Sequence, residues 1–413
     1  MATPTVLFVN MRTTDPERRA AVFAAWQLGY QVVLLADSVP ASLRSLFAGV
    51  EIVDTYDWEQ ALRAARDLAR RYQIQGVVTW SDRDVELVAQ IGQTLGLPAP
   101  SPAAAQKARN KYIMKQALAH LPGLVPRHAR VSSWPDLEQA IQTVGFPAVL
   151  KPTGASASKG IFELYHPADL QGAFATLQDF ARPEVDPIFR TYGAEFILEE
   201  FLSGPEVSVE GWVFQGEVEV VGITDKQTTE PFHLEYQHLY PSALSESAQQ
   251  EIRAKTGQIV KTLDLNHCAF HLEGKLTPNG FRLIEVAARI GGDYITSHLI
   301  PLSSGLNFYT QVLRVVTGQQ PCRDAPLQLY SGARFFLAQS EGTFRGLTGI
   351  EQVLHRCSVE HCFMESAPGA AILFPPRHFA AQRVGAVLVR DTDYGVVEQT
   401  LDDISRQCLV SVE

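Results

Sequence analysis

Short apolar runs alternate with helical periodicity through the first hundred residues, and that alternation leaves few architectures open. Val6–Asn10 and Gln31–Asp37 read as strands, the second continuously apolar from Val32 to Leu35. Glu51–Asp54 and Gly76–Trp80 read as a third and a fourth. Asp15–Leu28, ending at Gly29, and Trp58–Tyr72 carry helical spacing between them. Strands apolar on both faces and separated by helices require a parallel sheet covered on both sides. The expectation is a doubly wound, Rossmann-like unit without the dinucleotide fingerprint. Met11-Arg12-Thr13 follows the first strand, with no G-x-G-x-x-G. Ser81-Asp82-Arg83-Asp84 follows the fourth strand, where such sheets place ligand loops. Helix capping by Ser81 or Asp82 is the favoured reading there.

Pro98, Pro100 and Pro102 close this unit. A helix over Ala103–Ala119 follows, then Pro122-Gly123 and Pro126, and beyond them the pattern turns to strands and hairpins. A helix over Leu306–Thr317 closes on Gly318. Strands at Ala333–Leu337, Ala370–Phe374 and Arg383–Arg390 and a helix at Tyr394–Ser405 make up the tail. The chain's 413 residues give two or three domains at about 150 residues each.

Charge and cysteine content narrow the function classes. Lys plus Arg is 35 and Asp plus Glu is 45, a net charge of −10. An acidic chain with no basic block is a poor partner for nucleic acid or an anionic membrane. The longest apolar run, Ala20–Trp26, is too short to span a bilayer, and the start lacks a basic n-region. The expectation is a soluble, cytoplasmic protein. Five scattered cysteines fit a reducing compartment. His355, Cys357, His361 and Cys362 crowd one eight-residue stretch. A single segment can hardly wrap a tetrahedral metal, so a surface turn is favoured over a zinc site.

Three segments carry chemistry. In the first, the strand Ala148–Leu150 delivers Lys151, and Thr153-Gly154-Ala155-Ser156-Ala157-Ser158-Lys159-Gly160 follows before a new strand at Ile161. Small residues let backbone N–H groups approach phosphate oxygens, and Lys151 supplies a fixed positive charge. A plain hairpin tip reads equally well from this segment alone. In the second, the strand Phe196–Leu198 runs into Glu199-Glu200-Phe201-Leu202, with Glu206 after a turn. Backbone groups at such a strand end can read an adenine edge, and Glu206 a ribose hydroxyl.

The third segment is a hairpin, Ala269–Thr277 and Phe281–Glu285 about Pro278-Asn279-Gly280. A three-residue loop with Gly280 in the left-handed position sets Glu273 directly opposite Glu285. Like charges so placed destabilise a hairpin unless they share a hard cation such as Mg²⁺ together with nucleotide phosphates. Ala288-Arg289-Ile290-Gly291-Gly292-Asp293 comes next. Arg289 is placed to meet anionic oxygens, and a Gly291-Gly292 backbone at a helix start near Tyr294 reads as an anion site.

In order and spacing, Lys111, Lys151 with its loop, Glu199–Glu206, Glu273, Glu285 and Arg289 resemble the ATP-grasp superfamily over nearly the whole chain. The layout is similar to its L-amino acid ligase and carnosine-synthase-type branch. Gly222–Lys226 and Pro231–Ser242 resemble that branch's substrate-facing segment. The resemblance implies an ATP-grasp fold of α/β and α+β parts. Its domains would be an N-terminal Rossmann-like parallel sheet (1–105), a linker helix and lid (106–201) and a C-terminal antiparallel-sheet catalytic domain (202–413). A small β-rich region from about 319 belongs to the last. It also implies roles. Lys111 and Lys151 hold ATP phosphates under a lid loop carrying Ser156, Ser158 and Gly160. Glu199 and the backbone at Phe201 and Leu202 take adenine, and Glu206 takes ribose. Glu273 and Glu285 carry Mg²⁺, or Mn²⁺ in its place. Arg289, with Lys151 and the Gly291-Gly292 backbone, stabilises the transferring phosphoryl group. Lys226, His233, Glu235 and His238 face the substrates. The partners implied are a small carboxylate and a small amine, in the first place amino acids, and a second copy of the chain as a homodimer.

One departure stands out. Many members place an asparagine two residues after the second metal glutamate, and here that position is Ala287. The reaction implied is carboxylate phosphorylation by ATP, then attack of an amine on the acyl phosphate. A biotin-carboxylase-like or purine-pathway enzyme, and a nucleotide-binding regulator without catalysis, stay open as alternatives.

Overall fold

The structure is a computed structural model that describes residues 3–413 apart from 231–232, 325, 376 and 379–380. Pro231 and Phe232 of the substrate-facing segment therefore lie outside the described residues. The first sheet takes β1 (Pro4–Val9), β2 (Gln31–Ala36), β3 (Gly49–Ile52) and β4 (Gln73–Thr79) in the order β3-β2-β1-β4, all parallel. Helices α1 (Asp15–Gln27), α2 (Trp58–Arg71) and α3 (Val85–Leu95) connect and follow these strands. β1 and β2 are buried over five of their six residues each, as their unbroken apolar runs require.

The predicted single helix at 103–119 is two helices, α4 (Pro102–Arg109) and α5 (Lys111–Leu118). Asn110 breaks it. Its backbone is extended, and its side chain accepts from the Tyr112 and Ile113 N–H groups, capping α5. The break makes Lys111 the first residue of the second helix.

A four-stranded antiparallel sheet follows, in the order β5-β8-β6-β7, from β5 (His128–Val131), β6 (Ala148–Pro152), β7 (Phe162–Leu164) and β8 (Phe196–Glu200). Helices α6 (Trp134–Val144), α7 (Asp169–Phe180) and α8 (Phe189–Tyr192) accompany it. The Gly/Ser loop joins β6 to β7.

The largest sheet has eight strands. It comprises β9 (Glu206–Phe214), β10 (Glu217–Thr228), β11 (Glu235–Tyr240), β12 (Cys268–Thr277), β13 (Gly280–Ala287), β14 (Tyr330–Leu337), β16 (Val359–Met364) and β18 (Arg383–Asp391). Their order is β13-β12-β9-β10-β11-β14-β18-β16. The tail thus extends this sheet, while β15 (Gly342–Thr348), β17 (Ala371–Ile372) and β19 (Leu409–Val412) pair beside it. His361 and Cys362 lie on β16 and not in a surface turn. Helix α9 (Glu246–Thr262) packs on β10 and β13.

After β13 the chain makes a short widened turn, Ile295–Leu299, then α10 (Ile300–Ser304) and α11 (Phe308–Val316). Helix α11 couples the parallel sheet to the large one. Trp80 at the end of β4 packs on Phe8 and Tyr309 at ring separations of 5.2 and 4.9 Å, and Phe308 packs on Trp212 of β9. Among the described residues no helix is long and apolar enough to cross a membrane.

Candidate active site

One cavity of about 320 Å³ opens where the three sheets meet. Its walls include Lys111, Lys151, Ser156 and Ser158 from the linker and lid, Glu199 from β8, Phe201 and Leu202 from the link that follows it, and Glu206 from the start of β9. Lys226, Glu235, His238, Glu273 and Glu285 rise from the large sheet, and His233, Arg289 and Gly292 come from its loops. Gly160 and Gly291 do not line it.

At the lid end two lysines share one acid. Glu199 sits 2.7 Å from Lys151 Nζ and 2.8 Å from Lys115 Nζ, all three side chains buried. Burial raises the Glu199 pKa, but Lys115 and Lys151 outweigh it and hold the carboxyl at about 2. Burial lowers Lys151, and Glu199 and Glu285 more than offset it, so its pKa is raised. Lys115, which does not line the cavity but reaches Glu199 from behind its wall, is brought down to about 8, chiefly by burial. Lys111 Nζ reaches Glu285 at 2.8 Å and donates to the Ala155 carbonyl at 2.6 Å. The Phe201 N–H already donates to the Pro147 carbonyl at 3.1 Å.

Glu273 and Glu285 do face each other across β12 and β13, but not through a three-residue loop. Thr277 pairs with Gly280, leaving a two-residue turn of Pro278 and Asn279, with Gly280 at φ 93°. That register alone would set Glu273 against Ile284. A β-bulge at Glu273/Gly274 leaves Ile284 unpaired and restores the opposition. The bulge frees the Ile284 carbonyl, which accepts from Lys115 Nζ at 2.5 Å.

Next to this pair, Lys226 Nζ lies 2.5 Å from Glu273, 3.0 Å from Glu206 and 3.2 Å from Glu235. One buried ammonium answers three carboxylates. Burial works against its charge, and the three glutamates raise its pKa well above the ordinary value. Burial likewise pushes the Glu235 carboxyl up, with Lys226 opposing and Asp293 and Glu273 adding to the rise. Opposite Ala287, where the superfamily's asparagine would stand, β12 carries His271. Its Nδ1 is 2.5 Å from Glu210 and its Nε2 3.2 Å from Glu273.

Two readings of the backbone need correction. The Gly291 N–H is not open to an anion, because it donates to Glu210 Oε2 at 3.1 Å. A Cβ at Gly291 would come 2.4 Å from that carboxylate, which explains the glycine. No regular helix starts at Tyr294, since Asp293 and Tyr294 both take left-handed backbone before the widened turn. Nor do Ser81 or Asp82 cap a helix with their side chains. Asp82 pairs with Arg109 and, at 3.3 Å, with Arg289. Burial raises the Asp82 pKa and the two arginines more than reverse it.

His233 closes the lid. Its Nε2 is 2.6 Å from Glu163 on β7, and Ser158 Oγ donates to its carbonyl at 3.0 Å. Beyond His238 lies a group that the motifs did not reveal. His238 Nε2 is hydrogen-bonded to Asp293 at 3.2 Å, and Arg383 Nη1 and Nη2 donate to both Asp293 oxygens at 3.0 and 2.9 Å. Arg12 lines the cavity as well, donating to the Ile290 carbonyl at 3.2 Å. Its place just past the end of β1 is a signal the sequence did carry. Arg383 sits in no motif.

Among the described residues no three or more His, Cys, Asp or Glu side chains are grouped to hold a metal ion. Two facing carboxylates still fit Mg²⁺, because that ion takes one or two protein carboxylates and completes its shell with phosphate and water.

Comparison with known proteins gives two family matches, the ATP-grasp N-terminal domain over residues 22–99 and the ATP-grasp domain over residues 144–297. The chain is 29% identical over 247 residues to alanine–anticapsin ligase of Bacillus subtilis, covering 57% of this chain and 52% of that protein. It is 26% identical over 264 residues to human carnosine synthase 1, covering 61% of this chain and 32% of that one. The match thus spans about half the length of the first relative and less of the second. A crystal structure of an L-amino acid ligase from Bacillus licheniformis superimposes over 100% of both chains, with a TM-score of 0.83 at 22% identity.

Proposed function

Because this chain is an ATP-grasp domain protein, we propose that it is an ADP-forming ligase joining the carboxylate of one amino acid to the amine of another amino acid or small amine. One observation carries the reading. A single cavity holds both a phosphate-type end, with Lys111, Lys151 and the facing Glu273 and Glu285, and a second polar end built by Lys226, Glu235, His238 and Arg289. A bare nucleotide site has no use for the second end.

A carboxylate oxygen attacks the γ-phosphorus of ATP, the bond to the bridging oxygen breaks, and ADP leaves. The amine nitrogen then attacks the acyl carbon, the C–O bond to phosphate breaks, and inorganic phosphate leaves. Lys111 and Lys151 hold phosphate oxygens, and Arg289 neutralises the group in transfer. Glu273 and Glu285 are the residues to hold Mg²⁺, which when bound neutralises phosphate charge. Glu206 takes the ribose, with the adenine lying along Phe201 and Leu202. Glu235, made more basic by burial, is the proton acceptor for the amine. The clasp of Ser158 and Glu163 on His233 keeps water from the acyl phosphate.

The test is ADP and phosphate release with ATP and Mg²⁺ against pairs of amino acids, with mass detection of products. ADP formation that requires two amino acids supports the reading, and AMP formation sinks it. Glu285→Ala and Arg289→Ala should abolish turnover in folded protein, and activity in both would refute these assignments.

A further inference from the structure

The far end of the cavity is closed by Arg383, which comes from β18, well past the ATP-grasp domain match that ends at residue 297. The order of the large sheet sets where it stands. Glu285 and Glu273 rise from β13 and β12, Lys226 from β10, His238 from β11 and Arg383 from β18. Five interstrand steps separate β12 from β18, about 24 Å at roughly 4.8 Å each. Two of those steps, about 10 Å, separate the His238 strand from the Arg383 strand. The cavity wall therefore runs in one direction, from the metal-type acids through Lys226 and His238 to a guanidinium.

That guanidinium is fixed. It lies over the Phe335 ring at 3.4 Å from the centroid, and its fork meets both oxygens of Asp293. Asp293 in turn bonds His238 and is held at φ 56°, a conformation unfavourable for an L side chain. Tyr294 beside it is left-handed too, at φ 65°. Left-handed non-glycine residues cluster at active sites and ligand clamps, and Asp293 is one on this cavity's wall. Asp293 already accepts three hydrogen bonds, whereas an arginine has five donors and this one gives two to Asp293. The donors left over at this end can meet a hydrogen-bond acceptor.

We propose that Arg383 receives the α-carboxylate of the amino acid that supplies the amine, with Asp293 and His238 as positioning residues that hold the guanidinium in place. The inference rests on the ligase reading and adds to it the side of the acceptor that is recognised. With the end-on fork held by Asp293, the side edge of the guanidinium, Nε–H and the second hydrogen of an Nη, can still give a carboxylate two parallel hydrogen bonds, and such charge-assisted bonds discriminate strongly against a neutral amide.

The experiment compares acceptors that differ only in that group: L-alanine and L-lysine against L-alaninamide and L-lysinamide. The donor is whichever proteinogenic amino acid gives most hydroxamate with ATP, Mg²⁺ and hydroxylamine. The unmodified protein should prefer the free acids by about tenfold or more in kcat/KM. Arg383→Gln should bring that preference close to one through the acceptor KM, with the KM for ATP and the hydroxamate yield retained. Arg383→Lys and Asp293→Asn should fall between, because an ammonium lacks the fork and a loosened fork loses its aim. A preference unchanged in all three variants, or a loss shared equally by acids and amides, overturns the inference while the ligase reading stands. No hydroxamate from the unmodified protein with any donor overturns the ligase reading itself, and this inference with it.

Discussion

Glu199 shows how one side chain can serve two others. Its oxygens each hold a buried lysine, Lys115 behind the wall and Lys151 on it. Removing its charge leaves two ammonium groups without their shared partner. Glu199→Gln should therefore destabilise the protein by roughly 3 kcal/mol at neutral pH, read by denaturant unfolding. Its carboxyl is lowered from 4.5 unfolded to about 2 folded, so its contribution is in place above pH 4.5 and fades as pH falls toward 2. The stability gap between wild type and variant should close over that window, and a gap independent of pH would contradict the pairing. Glu199 and Lys151 stood out in the sequence because each sits at the end of a recognisable strand, whereas Lys111, inside what read as one helix, stood out only through the resemblance. Lys115 did not, since a lysine in a helix ordinarily points to water, and only the unpaired Ile284 carbonyl and Glu199 give this one a buried home.

At the scale of elements, two local devices place the phosphate end. Asn110 ends one helix and caps the next, and it also donates to Glu195 at 2.7 Å. Asn110→Ala should cost about 1 kcal/mol of stability and raise the KM for ATP, since Lys111 rides on the capped turn. A variant with the stability loss but an unchanged KM would separate the cap from the site. The second device is the bulge that leaves Ile284 unpaired. The facing of Glu273 and Glu285 was legible from residue order, but its route was not. A two-residue turn and a three-residue turn differ by one register step, and only the backbone shows that the bulge restores it. The lid makes its own prediction. Glu163→Gln weakens the clasp on His233, so ADP release without the second amino acid should rise relative to ligation. An unchanged ratio of hydrolysis to ligation would remove the clasp from the account.

The whole molecule was legible in its ends and less so in their joining. The parallel sheet followed from unbroken apolar strands, and the large sheet's hairpin from its turn residues. Three of the tail's strands were visible too, while β16 was read as a surface turn, and nothing in the alternation says that β14, β18 and β16 continue the sheet that carries the acids. Long-range pairing leaves no local mark, so Arg383 gave no sign of its place at the cavity.

The lysines at the nucleotide end are each already matched by acids, with Glu285 on Lys111 and Glu199 on Lys151. A tetraanionic ligand arriving there is a partner exchange. Phosphate oxygens that take Lys111 release Glu285, and a bare carboxylate facing Glu273 then needs a counter-charge of its own. A divalent cation meets that need only when the phosphates have come, and the phosphates settle only when it has. The two affinities are therefore thermodynamically linked, each raising the other by one common factor. Calorimetric titration of ATP with and without Mg²⁺, and of Mg²⁺ with and without ATP, should give that same factor both ways, well above one. In Lys111→Met the Glu285 carboxylate is free from the outset, so the cation should bind without waiting and the factor should shrink.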